Sequence, residues 1–433
     1  MLQFMSALRD NVISIWPDDA YARPVTQIHI GRSHMLTANT PALAKHVLLD
    51  NAANYHKSPI ARRLLEPALG QGLLISDGTP WQHHRRLVAP VFTHRRIAAL
   101  VPSMAEETLK NTEQWRALNG AEFDLTAALS GITLDIITRT MFDAESRADT
   151  TTIAADTDAY QNSLRPSLLD FMGLPDWVPR PGARRARRLG ERLTDTIQRV
   201  IARRMARGAT RDDLLSLLLE AVDREAVSER EIRDEIATMI TAGHETTAAA
   251  LGWALYLLDL HPGIEQRLAD EARRVLEDRL PTADDVERLK FTRMVAEEAL
   301  RLYPPAHTLT RIALGPDRLG DVSVPKGAVV LISPWLLHRN PTLWRDPDRF
   351  YPDRFDPERS GPRHDRYSYL PFGAGPRVCV GASFAMQEII VVLATILRHW
   401  RVRMVPGHPV EPLALITLRP RFGLQANVEP RAR

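Results

Sequence analysis

One cysteine in 433 residues leaves no partner for an intramolecular disulfide and rules out a site built from several thiolates. Long apolar runs are missing as well. The longest late run, Ile389 to Leu397, has nine residues, well short of the roughly 20 that a spanning helix needs. The N-terminal stretch MLQFMSALRDNVISIW carries Arg9 and Asp10 within its apolar residues, unlike a signal peptide or a membrane helix. No Gly/Ser-rich or Pro-rich linker, internal repeat or low-complexity tract interrupts the chain, so residues 1–433 read as a single domain. The formal net charge of +3 gives no broad basic field of the kind that attracts nucleic acid. With 44% hydrophobic and 25% charged residues, the composition is that of a cytoplasmic, soluble globular protein with a large core, no membrane span and no nucleic-acid partner.

Basic residues do cluster locally. Arg180 to Arg188 reads RPGARRARR, and Arg203-Arg204 follows. Such a run is either a docking surface for an acidic partner or membrane, or a solvated face, which is the usual case. The pattern elsewhere is mostly helical. Ser228 with Glu231 three residues later forms a capping box, and apolar residues recur through Ile232, Ile236, Met239, Ile240, Leu251, Leu255 and Leu258. His261-Pro262-Gly263 ends that segment, giving about 30 residues and ~45 Å of helix. A second helix, Thr292 to Tyr303, stops at Pro304-Pro305. Strand-like segments follow at His307 to Ala313, and at Asp321 to Val324 and Ala328 to Ile332, the last two joined across Pro325-Lys326-Gly327. The expected fold is mainly α, a helical body with small β-sheets and no alternating βαβ units.

Four constellations carry chemistry. The lone cysteine sits in PFGAGPRVCVG, Pro371 to Gly381, where glycines permit close backbone approach and Arg377 supplies an electropositive setting that lowers a thiol pKa. Within the long helix, TAGHETTAAA places Gly243 where it costs about 1 kcal/mol relative to alanine. Either the helix opens there for a ligand, with a threonine hydroxyl bonding a carbonyl one turn back and Glu245 and Thr246 handing on protons, or small residues let it pack closely on a neighbour. In EEALRLYPP, Glu298 and Arg301 share one helical face among apolar residues, where a charge pair must be fully hydrogen-bonded. In GTPWQHHRRLVAPVF, Trp81 and Arg85 lie four apart, suited to a flat ligand with an anionic edge.

These stretches resemble the cytochrome P450 family, specifically a soluble bacterial-type member. FGAGPRVCVG matches the family's haem-binding signature at Phe372, Gly375, Arg377, Cys379 and Gly381. AGHETT resembles its oxygen-activation motif, EALR its Glu-x-x-Arg helix, PDRF (Pro352 to Phe355) the segment whose arginine completes that pair, and WQHHR its propionate-binding helix. The motifs run in family order from about Thr26 to Leu424. Two features, Arg377 where many soluble bacterial members carry His and the tryptophan in the propionate helix, are closer to the membrane-anchored and fatty-acid-hydroxylating branches.

The resemblance implies the P450 fold, haem b as cofactor, and a haem-thiolate monooxygenase inserting one atom of O₂ into a small apolar substrate of lipid, terpenoid or polyketide class. Cys379 would ligate the iron. Phe372, Gly373 and Gly381 would line the haem, and Trp81, Arg85, Arg311 and Arg377 would hold its propionates. Glu245 and Thr246 would be catalytic, relaying protons, whereas Glu298, Arg301 and Arg354 would be structural. Pocket walls are expected from Leu64 to Ile75, Thr238 to Ala242, Ala306 to Leu309 and Leu415 to Leu418. The short remainder after Cys379 implies electrons from a separate ferredoxin or flavodoxin with its reductase, approaching a basic patch of Arg86, Arg95, Arg96, Arg363, His364 and Arg366 on a monomer. A peroxide-using P450 is the alternative, disfavoured because Glu245-Thr246 is kept. A haem-based sensor is disfavoured because no read-out segment is attached.

Overall fold

The computed structural model describes residues 11–30, 33–142, 152–153, 155–157, 159–160, 163–164, 178, 182–207, 215–216, 218, 227–358 and 364–431. Arg9, Asp10, Arg180 and Arg363 lie outside the described residues. Helices dominate: α1 (Pro59–Leu69), α2 (Gly78–Val88), α3 (Val101–Glu113), α4 (Leu125–Phe142), α5 (Ala183–Arg207), α6 (Glu229–Leu260), α7 (Pro262–Leu276), α8 (Lys290–Leu302) and α9 (Ala382–His399). The strands are β1 (Gln27–Ile30), β2 (Ser33–Thr37), β3 (Tyr55–Lys57), β4 (Phe123–Asp124), β5 (Leu309–Ala313), β6 (Asp317–Leu319), β7 (Val322–Val324), β8 (Val329–Ile332), β9 (Trp400–Met404), β10 (Pro412–Ala414), β11 (Leu418–Pro420) and β12 (Gln425–Pro430).

Helix α6 forms as its sequence requires. Ser228 accepts from the Glu231 N–H, and the Glu231 carboxylate accepts from the Ser228 N–H at 2.8 Å, so two orphan donors are satisfied together. Its 32 residues end at His261, and it packs on α4, α5, α8 and α9. One apolar cluster joins α3, α4, α8 and α9 to the C-terminal half of α6; another joins α1, α2, α4 and α5 to its N-terminal half. Helix α9 is long and apolar enough to cross a membrane, and eleven of its eighteen residues are buried, most of them in the first cluster.

The largest sheet has the order β1-β2-β8-β5-β3, with β2 and β8 parallel and the other pairs antiparallel. The two strand segments joined across Pro325-Lys326-Gly327 do not pair with each other. Strand β7 pairs with β6 around Gly320-Asp321, while β8 inserts between β2 and β5. The difference follows from burial, because Val330 and Ile332 are fully buried and need neighbours on both sides, which a two-stranded ribbon cannot supply.

Helix α8 stops before Pro304-Pro305 as expected, and its charged pair is fully buried. Arg301 meets Glu298 through two bonds of 2.7 and 2.9 Å, and Arg354 adds a third of 3.0 Å. The remaining Arg301 donors reach the carbonyls of His338, Pro347 and Arg349, so the cluster is satisfied in the way a buried ion pair requires. His338 extends the network. Its Nε2 accepts from the Leu370 N–H at 2.8 Å and its Nδ1 donates to the Arg301 carbonyl at 3.1 Å. That arrangement needs a neutral ring, and burial lowers the His338 pKa to about 3. The segment leading to the cysteine loop is thereby tied to α8.

Candidate active site

The loop after Leu370 folds back on itself before α9. The Cys379 N–H donates to the Phe372 carbonyl at 2.9 Å, and a single 3₁₀ turn, Gly375–Arg377, closes the bend. Gly375 is obligatory for a protein contact: it has φ +71, and a Cβ there would lie 1.8 Å from the Leu48 carbonyl oxygen. Around Gly381 the space is ordinary, since a Cβ at that position would lie 3.6 Å from the Phe92 ring. The crowding of glycines therefore serves, at Gly375, the seating of the loop on the segment near Leu48. Phe372 is half-buried against the first apolar cluster.

The electrostatics of the thiol differ from the expectation drawn from Arg377. That residue turns away, donating to the Ser76 carbonyl at 2.7 Å and pairing with Asp77, with its guanidinium 4.6 Å from the Trp81 ring centre. Arg85 is the cation acting on Cys379, and it also donates to the Val378 carbonyl at 2.9 Å. The cysteine retains exposed surface, yet the protein around the sulfur makes burial the strongest influence. Burial pushes the thiol up, while the Gly381 N–H and Arg85 pull it down, with a net rise above the ordinary thiol value. A thiolate here depends on a bound cation, which deprotonates a coordinating thiol outright.

Next to the loop lies a concentration of positive charge. Lys57 and Arg311 stand directly opposite one another across β3 and β5, an arrangement that repels. Arg311 is only 5% exposed and its guanidinium reaches the Thr310 carbonyl at 2.9 Å. Arg377 completes the cluster, and Asp77 is the carboxylate at its centre, with Arg62 reaching it at 3.3 Å. Burial, then the charges of Arg311 and Arg377, lower the Lys57 pKa to about 7, and burial followed by Arg377 lowers that of Arg311 to about 10.

The middle of α6 has one opening. Residues 234–241 and 247–255 are buried, whereas Ala242, Gly243, Glu245 and Thr246 are partly exposed. The two readings of this stretch each hold in part. The Thr246 hydroxyl donates to the Ala242 carbonyl at 2.6 Å, the one-turn-back bond expected of an opened helix. Gly243, however, faces α4, where Ile137 would sit 2.6 Å from an added Cβ, so this glycine serves close packing. Glu245 accepts from the Thr417 hydroxyl at 2.6 Å, with Arg419 3.9 Å from the same oxygen.

The sequence model of the cytochrome P450 family matches residues 19–422. The chain is a cytochrome P450. Relatives include the chloroplastic protein LUTEIN DEFICIENT 5 of Arabidopsis thaliana, 32% identical over 94% of this chain and 72% of that one. Cyclooctat-9-en-7-ol 5-monooxygenase of Streptomyces melanosporofaciens is 34% identical over 88% of this chain and 83% of its own. The crystal structure of the cytochrome P450DA haem domain superposes with a TM-score of 0.82 at 26% identity, covering 94% of this chain and 90% of that one. The fold is thus the expected P450 fold, and the protein is a P450 monooxygenase whose family uses haem.

The residues present fit that cofactor. Opposed cations grouped about one aspartate, with Arg311 buried, suit a ligand with two carboxylates, and the only thiol of the chain is two residues from Arg377. The fold brings together Trp81, Arg311 and Arg377, which stand apart in the sequence, and adds Lys57, which sequence reasoning missed because its significance appears only when β3 pairs with β5. Because the folded-state pKa of Lys57 lies near 7, below its ordinary 10.5, the unfolded chain binds more protons there between these values. Stability of the cofactor-free protein should therefore rise with pH across that window, and this part of the rise should vanish in Lys57→Met. Urea midpoints at pH 7 and about pH 9 test this. Equal pH dependence in both proteins would show that Lys57 is not held neutral.

Proposed function

We propose that this P450 binds haem b through Cys379 and oxidises an apolar substrate of terpenoid, lipid or polyketide class with electrons from separate carriers. The observation that carries the reading is the partly buried cation cluster reaching directly into the cysteine loop through Arg377. When bound, haem supplies the activation of O₂ and the storage of electrons. Lys57, Arg311 and Arg377, with Trp81 stacked on the last, bind its carboxylates. Arg85 and the Gly381 N–H hold negative charge on Cys379 Sγ, as groups around a metal ligand commonly do. Phe372 and Gly373 shape the loop beside it.

Thr246 and Glu245 are the proton-handling pair. The Thr246 hydroxyl gives its hydrogen to the Ala242 carbonyl, so its oxygen lone pairs face the partly exposed patch of α6 and can take a proton. The Glu245 side chain is 17% exposed and supplies that proton from solvent. This retained acid–alcohol pair supports use of O₂ and electrons over a supplied peroxide. The expected pocket walls are apolar: Leu69, Leu73, Ile75, Met239 and Ile240 belong to one buried cluster, with Ile416 packed on it. A relative named for the alcohol cyclooctat-9-en-7-ol supports an apolar substrate. Exposed Arg86, Arg95 and Arg366 suit an acidic ferredoxin or flavodoxin in the cytoplasm, serving a monomer.

Three outcomes are expected. The reduced, CO-treated protein should absorb at the thiolate-haem position, and Cys379→Ala should lose that band; a variant with an unchanged spectrum would end the ligand assignment. Thr246→Ala should load haem normally while product per electron falls by about tenfold or more, with hydrogen peroxide released instead. Unchanged coupling would remove Thr246 from the proton path. Reduction by an acidic ferredoxin should slow as salt rises through about 0.1 M, where screening acts over about 10 Å, and it should slow further on joint charge reversal of Arg86, Arg95 and Arg366. A salt-independent rate would leave these arginines as solvated surface.

A further inference from the structure

The hairpin β10–β11 stands far from the motifs in sequence, yet one of its residues holds the Glu245 carboxylate. Its three-residue connection, 415–417, is fixed at every position. The His307 ring donates from Nε2 to the Leu415 carbonyl at 3.0 Å, and Ile416 packs on the apolar cluster that includes Leu73, Ile75 and Met239. The Thr417 hydroxyl donates to Glu245 Oε1 at 2.6 Å. The strand that follows is anchored as well. The Leu418 N–H bonds the Pro305 carbonyl at 2.9 Å, and the Trp253 indole N–H, from α6 itself, bonds the Leu418 carbonyl at 3.2 Å. Arg419 then brings its guanidinium to 3.9 Å from the same Glu245 oxygen.

We propose that Thr417 and Arg419 are positioning residues that fix the place and the ionisation of Glu245, and so set the proton supply to Thr246. The inference rests on the reading of Glu245 as the acid of the relay. A hydroxyl hydrogen and a guanidinium aimed at one oxygen both favour the ionised carboxylate. They also hold that oxygen toward β11, while the Thr246 hydroxyl hydrogen is committed to Ala242 within α6. The neighbouring ionisable groups His244 and Glu388 face elsewhere. His244 turns to Ser130 of α4 with its Nε2 at 2.6 Å, and burial keeps it neutral by lowering its pKa to about 4. Glu388 of α9 lies against Thr247. Arg419 is the cation that β11 contributes, so its removal acts on Glu245 directly. Because the tip of the hairpin also packs on the buried apolar cluster through Ile416, displacement of the tip would release the carboxylate.

The test is an infrared titration of the haem-loaded protein, with the Glu245 carboxyl band assigned by its loss in Glu245→Gln. The midpoint should rise by about 1 pH unit or more, tenfold in the ionisation constant, in Thr417→Val and in Arg419→Gln. It should stay at the wild-type value in Thr417→Ser and Arg419→Lys, which keep the donor and the charge. Haem content and thermal midpoint identify any variant that merely fails to fold; the conservative pair then carries the comparison through its retained midpoint. In parallel, hydrogen peroxide released per NADPH is measured with a surrogate ferredoxin and reductase and no substrate. Thr417→Val should change that ratio in the direction of Glu245→Gln, and Thr417→Ser should restore it. If Glu245→Gln alters the ratio but the midpoint does not move in Thr417→Val or Arg419→Gln, this inference alone is overturned. If Glu245→Gln leaves the ratio unchanged, the relay reading falls and the inference falls with it.

Discussion

Like charges forced together around a single carboxylate are the constraint on which this site depends. Lys57, Arg311 and Arg377 come from a short edge strand, a central strand and the cysteine loop, and Arg62 from α1 joins them at Asp77. Asp77 immediately precedes α2, the helix that carries Trp81 and Arg85. Its two carboxylate oxygens also accept from the Lys57 backbone N–H at 3.2 and 3.1 Å. One acidic residue thus fixes the relative placement of four separate elements. Its single negative charge is outnumbered by the cations it gathers, and burial together with the charges of Arg311 and Arg377 lowers the pKa of Lys57. The cluster is consequently both a structural joint and a statement about ligand charge.

The thiol loop is held by a second joint of opposite character. Glu298, Arg301 and Arg354 satisfy one another and the carbonyls around them, and the neutral ring of His338 passes that order to Leu370. Nothing in that network is left for a ligand. Charge pairs that satisfy one another lie on the approach to the loop, and a cluster with more cations than carboxylates lies beside it.

The long helix shows how one element serves packing and chemistry together. Gly243 is needed on the side facing Ile137, while Ala242, Glu245 and Thr246 share the one partly exposed patch of an otherwise buried stretch. A residue every 100° around the helix allows neighbours in sequence to face different partners. His244 meets Ser130, Glu245 meets Thr417 and Thr246 bonds within its own helix.

Local information was sufficient for the elements that depend on local physics. Ser228 and Glu231 specify a helix start because the bonds they make span three residues, and Pro304-Pro305 ends α8 because proline cannot continue it. The motif stretches around Trp81, Glu245, Glu298 and Cys379 could be picked out as candidates for a similar reason, since their spacing is set within one loop or helix. What the tertiary structure decided involves, for the most part, partners far apart in the sequence. The pairing of β8 with β2 and β5, the opposition of Lys57 and Arg311, the turn of Arg377 toward Asp77 with Arg85 taking its place beside the thiol, and the hold of Thr417 on Glu245 leave no trace in residue spacing. Each is fixed by which surfaces can be buried together, and that is a property of the whole packed chain.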